Sequence, residues 1–455
     1  MRVSWARGRL VLSGLLLAPL LAAPRPARGG PNPEQAVPPP GDLGTRKSGA
    51  DWPDFLGPRR DGKSTETGVV LPWTPRGPRV LWQRELGEGF GACSVSQGRL
   101  FQFDRFGDKA RLTCLKSETG EVLWTFESGT DYRDAYGSGD GPRCGPVVDH
   151  DRVYLFGPEG MLHCVAVQDG HLLWRKNTAE EFAVEPNFFG VGSSPLVEGD
   201  LLIAQIGGRP PRGQESGLVA MDKKTGQVRY AITGELASYS SPVAATIQGR
   251  RWGFAFARGG LVGFEPATGK VDFHYPWRAR IRESVNICTP VVAGDLVFVS
   301  EAYGVGSSVL RVRPGGYEVV WADRRDRPPS MASYFDTPVH VDGFLYGSSG
   351  QGRSEAELRC VELSTGKIRW SRPDLGRCSL LFVDGFFVCL GEDGVLRLLK
   401  TSPDGYQEVA QAILRSPSGE PLLEPPAWAA PVLSHGLLYV RGKNRLVCLE
   451  LIPAR

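Results

Sequence analysis

A short apolar strand introduced by a small residue and proline returns along this chain with a period of roughly 40 to 50 residues, and a period of that size signals a propeller or a solenoid. It occurs as Gly145-Pro146-Val147-Val148, Ser194-Pro195-Leu196-Val197, Ser241-Pro242-Val243, Thr289-Pro290-Val291-Val292, Thr337-Pro338-Val339 and Ala430-Pro431-Val432-Leu433, while Ser94-Val95 and Ser379-Leu380 fill the slot without proline. A turn with glycine or aspartate and a second β-rich run follow, as at Gly98 and at Gly294-Asp295, which is hairpin chemistry. A third strand opens on leucine (Leu112, Leu162, Leu218, Leu261, Leu310, Leu358, Leu396, Leu446) and mostly runs into a Thr-Gly type of turn. The fourth carries an aromatic residue at Trp124, Trp174, Tyr230, Phe273, Trp321 and Trp370, with Ala410 in the seventh repeat.

Four strands per period make a propeller blade, whereas a parallel β-helix has a much shorter period. The last repeat stops after Leu451 without its aromatic strand, and Arg79-Val80-Leu81-Trp82 is an aromatic strand with no blade before it. Pairing the two closes the ring and covers edges otherwise open to aggregation. The expectation is an all-β, eight-bladed β-propeller of four-stranded antiparallel blades, closed by an N-terminal strand and filling residues 51–455 as one domain. Because the aromatic column recurs with the period, it is read as packing between blades rather than as a site.

Arg2, Arg7 and Arg9 precede an apolar stretch over residues 10–23, the pattern of a secretory signal peptide over residues 1–23. The stretch is short of the ~20 apolar residues a span needs, so no transmembrane span is expected in the mature chain. Residues 24–50 are rich in Pro and Gly and cannot bury enough surface to offset their ordering entropy, so they read as a disordered linker. An exported protein of the periplasm or cell envelope follows, expected as a monomer. A formal net charge of +3 with 23% charged residues gives no electrostatic footprint for nucleic acid or an anionic membrane.

The turn Asp222-Lys223-Lys224-Thr225-Gly226 carries the first half of a D-x-x-T-G-x-x-x-W pattern and Thr365-Gly366-Lys367-Ile368-Arg369-Trp370 the second. In this the chain resembles the pyrroloquinoline-quinone-like (quinoprotein-like) propeller repeat family over roughly Asp51 to Leu451. The segments beginning at Asp51 (DWPDFLGPRRDG), Glu283 (ESVNICTPVV) and Glu301 (EAYGVGSS) are similar to an exported bacterial subgroup of it. The resemblance implies either a quinone-dependent dehydrogenase or a non-enzymatic propeller such as an outer-membrane protein-assembly scaffold. Fold does not choose between them, so the choice falls to the sites.

Nine cysteines in an exported chain invite disulfides, but the count is odd. Aligned third strands place Cys114, Cys164, Ala220, Gly263, Val312, Cys360, Leu398 and Cys448 in one column, where free cysteine acts as a small hydrophobe. Cys93, Cys144, Cys288 and Cys378 stand just before first strands, near the expected channel mouth, where a disulfide or metal site is the alternative to packing. Cys389 reads as core. No C-x-x-C-H occurs, so no covalent haem is expected. Nor do two adjacent cysteines, which several quinone-dependent alcohol dehydrogenases set against the cofactor. Six histidines stand singly, without the spacing of a zinc site.

In propellers the inter-blade loops crowd the channel mouth. Here they carry Arg143, Asn187, Tyr239, Glu283, Asn286, Tyr334, Asp336 and Trp428, the candidate binding residues; no catalytic or metal residue is assigned. Glu283, Asn286 and Asp336 supply the oxygen types that Ca²⁺ prefers, which a quinone dehydrogenase would use. The glycine-rich loop at residues 129–143 does not follow the calcium-loop pattern, and residues 207–217 read as a flexible protrusion. The favoured expectation is a non-catalytic binding or assembly scaffold that takes a protein or cell-envelope component through its loop face and carries no cofactor. The alternative is a dehydrogenase of alcohols or sugars with PQQ and Ca²⁺.

Overall fold

In the computed structural model, which describes residues 40–184, 187–208, 215–281, 284–324 and 327–454, the repeat folds into eight four-stranded antiparallel sheets. Seven are simple meanders; blade 1, for example, is Ser94–Ser96, Arg99–Phe106, Lys109–Lys116 and Val122–Gly129. The second and third strands carry the buried apolar runs, while the fourth alternates exposed and half-buried residues as an outer strand does. One four-residue helix, Thr178–Glu181, breaks the pattern among the described residues.

The eighth blade is closed by the N-terminal strand, as expected: Arg79–Glu85 pairs antiparallel with Arg445–Glu450, with Trp82 opposite Cys448. The same junction is fastened to blade 1, because the buried Arg441 guanidinium donates to the carbonyls of Gly87, Gly89 and Gly91.

The aromatic column locks neighbouring blades. Trp82 Nε1 donates to Ser117 O in blade 1, Trp124 Nε1 to Val167 O, Trp174 Nε1 to Lys223 O, Trp321 Nε1 to Leu363 O and Trp370 Nε1 to Ser402 O. Each ring lies against the turn of the next blade, which explains the glycine: a Cβ on Gly170 would stand 2.5 Å from Trp124, and its φ of +75° favours glycine as well. At the junction after Ala410, Val69 and Trp73 pack against the same core cluster as Ala410. The N-terminal segment thus supplies apolar surface where the column has no ring.

One column assignment is corrected. Opposite Trp321 stands Val309, not Val312. In blade 5 the leucine, Leu310, stands one residue after that position instead of two before it, so counting from the leucine misplaces the register by three residues. All nine cysteines are buried and free. The four before first strands therefore form no disulfide; the Cys144 thiol donates to Phe156 O and that of Cys288 to Thr289 O.

The segment between residues 51 and 66 crosses the channel at one end. Trp52 and Val95 exchange both backbone hydrogen bonds, Val148 N donates to Pro53 O, Phe382 N to Gly62 O and Ser64 N to Phe382 O. Arg60 binds Asp54 through two hydrogen bonds, at 2.6 and 2.7 Å, and also donates to Pro195 O and Pro242 O. Of the stretch expected as a linker, residues 40–50 are held against blades 8 and 1. There Thr45 bonds Glu118, and Arg46 bonds Glu450 and Ile452 O, so this part has partners that its composition did not reveal. The expected signal peptide lies outside the described residues. No helix among the described residues is long and apolar enough to cross a membrane.

Candidate binding site at the channel mouth

Backbone alternation builds the site. As the chain approaches each first strand, successive side chains point alternately toward the channel and back into the blade. One position therefore faces the channel in every blade: Ala92, Arg143, Gly192, Tyr239, Ile287, Phe335, Arg377 and Trp428 all line a cavity of about 350 Å³. The next residue in each blade is Cys93, Cys144, Ser193, Ser240, Cys288, Asp336, Cys378 and Ala429, and most of these side chains lie behind the wall. One step further, Ser241 Oγ accepts from Ser194 N, Thr289 Oγ1 from Ser241 N and Thr337 Oγ1 from Thr289 N. These hydroxyls tie blades 3 to 6 together, and Ser194, Ser241 and Phe55 of the crossing segment form part of the cavity lining.

The wall is aromatic and cationic. Phe90 packs on Trp428 at 4.9 Å between centroids, Phe335 on Trp428 at 5.6 Å and Phe189 on Tyr239 at 5.9 Å, with ring planes 43–48° apart. The Arg143 guanidinium lies 5.5 Å from the Phe90 ring and 5.1 Å from Phe189. Arg377 lies within 5.7 Å of Tyr334, Phe335 and Trp428. Each guanidinium has its carboxylate behind it: Arg143 bonds the fully buried Asp134 at 3.1 Å, and Arg377 bonds Glu392 at 2.6 Å. Burial works against the Glu392 carboxylate, but hydrogen bonds from Arg377 and Trp428 outweigh it and hold its pKa below the usual range. Each pair thus turns its positive end to the cavity.

Of the expected residues, Arg143, Tyr239, Tyr334 and Trp428 meet at this cavity. Asn187 lines a separate cavity of about 230 Å³ and caps the loop that carries Phe188 and Phe189, accepting from Phe188 N and donating to Ala237 O. Asp336 occupies the inward column of otherwise small residues and accepts from Ser348 N at 2.9 Å. Burial pushes its carboxyl up to about 7 despite that hydrogen bond. Asn286 is fully buried, donating to Ala257 O and Trp277 O. Glu283 lies outside the described residues.

The residues missed from sequence are Phe55, Phe90, Phe189, Phe335 and Arg377. One signal could have found Arg377 and Phe335: each stands directly before the small-residue column, as Arg143 stands before Cys144.

A calcium and quinone site would draw on Glu283, which lies outside the described residues, and on Asn286 and Asp336. Asn286 Oδ1 is buried without a hydrogen-bond partner, the one feature in its favour, yet neither Asn286 nor Asp336 reaches the cavity wall. Among the described residues no group of three His, Cys, Asp or Glu side chains is placed to hold a metal. The contacting rings in the wall are tilted and do not form a flat slot.

The family model described as the outer membrane protein assembly factor BamB matches residues 66–229 and 109–372, together more than half of the chain. No curated protein matches by sequence. Among solved structures, the chain is similar to BamB from Moraxella catarrhalis, at TM-score 0.56 and 12% identity over 82% of this chain and 97% of that one. It is also similar to the quinohemoprotein alcohol dehydrogenase of Comamonas testosteroni, at TM-score 0.60 and 12% identity over 89% and 81%. A computationally designed protein, Ika8, is a third, at TM-score 0.50 and 13% identity over 80% and 99%. At such identities the likeness speaks for the fold alone.

Proposed function

Because the chain belongs to the repeat family described as the outer membrane protein assembly factor BamB, we propose that it is a non-catalytic scaffold, exported to the cell envelope, which binds its partner at the channel mouth. One observation carries this reading. The wall of the cavity holds aromatic rings, two guanidiniums and small residues, and among the described lining residues there is no carboxylate, histidine, lysine or cysteine. Dehydrogenation needs a base within hydrogen-bond reach of the substrate hydroxyl. The Tyr239 hydroxyl accepts from Phe189 N, and burial raises its pKa, so it does not supply one. Rings and arginines around a blind cavity are instead what hot spots of protein interfaces are made of.

The calcium- and PQQ-dependent dehydrogenase is the competing reading, favoured by the unpartnered Asn286 oxygen. Reconstitution with pyrroloquinoline quinone and Ca²⁺, followed by dye reduction with a panel of alcohols and sugars, separates the two. The expected result is no turnover, with Glu283→Gln and Asp336→Asn folded and no activity to lose. Reproducible quinone-dependent turnover that disappears in either variant overturns the scaffold reading.

A further inference from the structure

We infer that the channel mouth recognises an acidic polypeptide segment that inserts a bulky aromatic side chain between Arg143 and Arg377. The inference rests on the scaffold reading and names the chemistry of the partner. The residue at the wall position varies from blade to blade, and the choices are lopsided. Gly192 and Ala92 leave room, Tyr239, Phe335 and Trp428 give flat apolar surface, and the two arginines stand on separate blades. Their carboxylate partners sit behind them, and none of the described residues lining the cavity is acidic. A cationic ligand therefore meets like charge, whereas carboxylates flanking an inserted ring meet a guanidinium on each side.

The surface continues outward rather than ending at the cavity. Tyr136, 61% exposed, packs at 5.8 Å on Phe188 and at 5.4 Å on Phe189. A small molecule confined to the cavity would leave these groups unused, and the tilted rings do not make a slot for a planar one. A chain segment uses both, with its aromatic side chain in the cavity and its flanks across the rim.

The experiment is fluorescence anisotropy with a fluorescein-labelled Asp-Glu-Phe-Glu-Asp peptide, its Lys-Arg-Phe-Arg-Lys counterpart and the acidic peptide with Ala in place of Phe. Ile287→Glu is the variant of choice, because it puts a negative charge into the wall without removing any bond of Arg143 or Arg377. The acidic aromatic peptide should bind the native protein best and weaken about tenfold or more in Ile287→Glu and at high salt, while the basic peptide gains in the variant. Equal binding of the basic or the Ala peptide to the native protein, unchanged binding in Ile287→Glu, or no binding of the acidic peptide overturns the inference. None of these touches the scaffold reading, which fails separately on quinone-dependent turnover.

Discussion

The two ends of the channel are built by opposite means. At the closed end the segment between residues 51 and 66 is tied down by hydrogen bonds to the blades, through backbone exchange with Val95, Val148 and Phe382 and through the side chains of Asp51, Arg60, Lys63 and Glu66, each bonded to blade backbone. At the open end the backbone sets the spacing, and one wall side chain per blade, joined by Phe55, Phe90, Phe189 and Tyr334, makes the surface. Backbone pairing tolerates many side chains and serves stability. A surface of side chains that differ from blade to blade serves recognition, because the strand pairing beneath does not depend on which ring stands there. Removing the closed end should therefore cost stability, while changing the open end should cost binding.

The strongest challenge to that contrast is deletion through Leu86, which removes both the crossing segment and the closing strand. It exposes the edge of Arg445–Glu450 and takes away Trp82, which packs on Tyr439 and bonds Ser117 O. Loss of a fully buried aromatic residue costs about 3–5 kcal/mol, an upper bound for the partly buried Trp82, to which the exposed strand edge adds. Thermal unfolding should show a large drop against a chain starting at Asp51. Equal unfolding temperatures would mean that the closed end is not what holds the ring.

A smaller effect, at the boundary between structure and surface, is expected of Asp336. Its folded pKa, about 7, lies above the 3.8 of an ordinary aspartate, so the folded state keeps a proton that the unfolded chain releases. Stability then falls as pH rises between about 4 and 7, and the full penalty is present above 7. Asp336→Ser restores the small hydroxyl that Ser193 and Ser240 provide at the same position. It should stabilise the protein at pH 8 by on the order of 2–4 kcal/mol and leave it little changed near pH 4. Urea unfolding of both proteins at the two pH values measures this, and a variant less stable at pH 8 would show that the carboxylate is needed where it is.

Asp336 also marks how far the sequence could be read. The repeat, the count of eight and the closing strand were legible because they recur, and one irregular blade cannot hide a period. The site was half legible. Reading loops as a class brought in Arg143, Tyr239, Tyr334 and Trp428 but also Asn187, Asn286 and Asp336, because polarity was taken as a sign of exposure. The decisive variable was strand alternation: Asp336 and Phe335 are neighbours, and only Phe335 faces the channel. Phe55 was illegible for another reason. It reaches the cavity from a segment far away in sequence, and no periodicity in the chain announces that crossing.

The smallest stability effect belongs to Tyr136→Ala, and it tests the contrast from the recognition side. The loop that carries Tyr136 is shaped from within by Asp134, whose buried carboxylate accepts from Tyr136 N, Ser138 N and Arg143 Nη2. Those bonds involve the backbone of residue 136 and not its ring, so the loop keeps its form when the ring is cut away. A ring that is 61% exposed and packs only on Phe188 and Phe189 contributes modestly to folding, and unfolding should shift by no more than about 1 kcal/mol. Binding is different, because the ring extends the aromatic surface of Phe188 and Phe189 beyond the cavity. An aromatic contact of this kind contributes about 0.5–1.5 kcal/mol, so affinity for the acidic aromatic peptide should fall roughly two- to tenfold. Calorimetry of unfolding and peptide anisotropy on the same preparation give both numbers. A variant that loses stability but binds as before would place Tyr136 with the structural end of the molecule and confine recognition to the cavity itself.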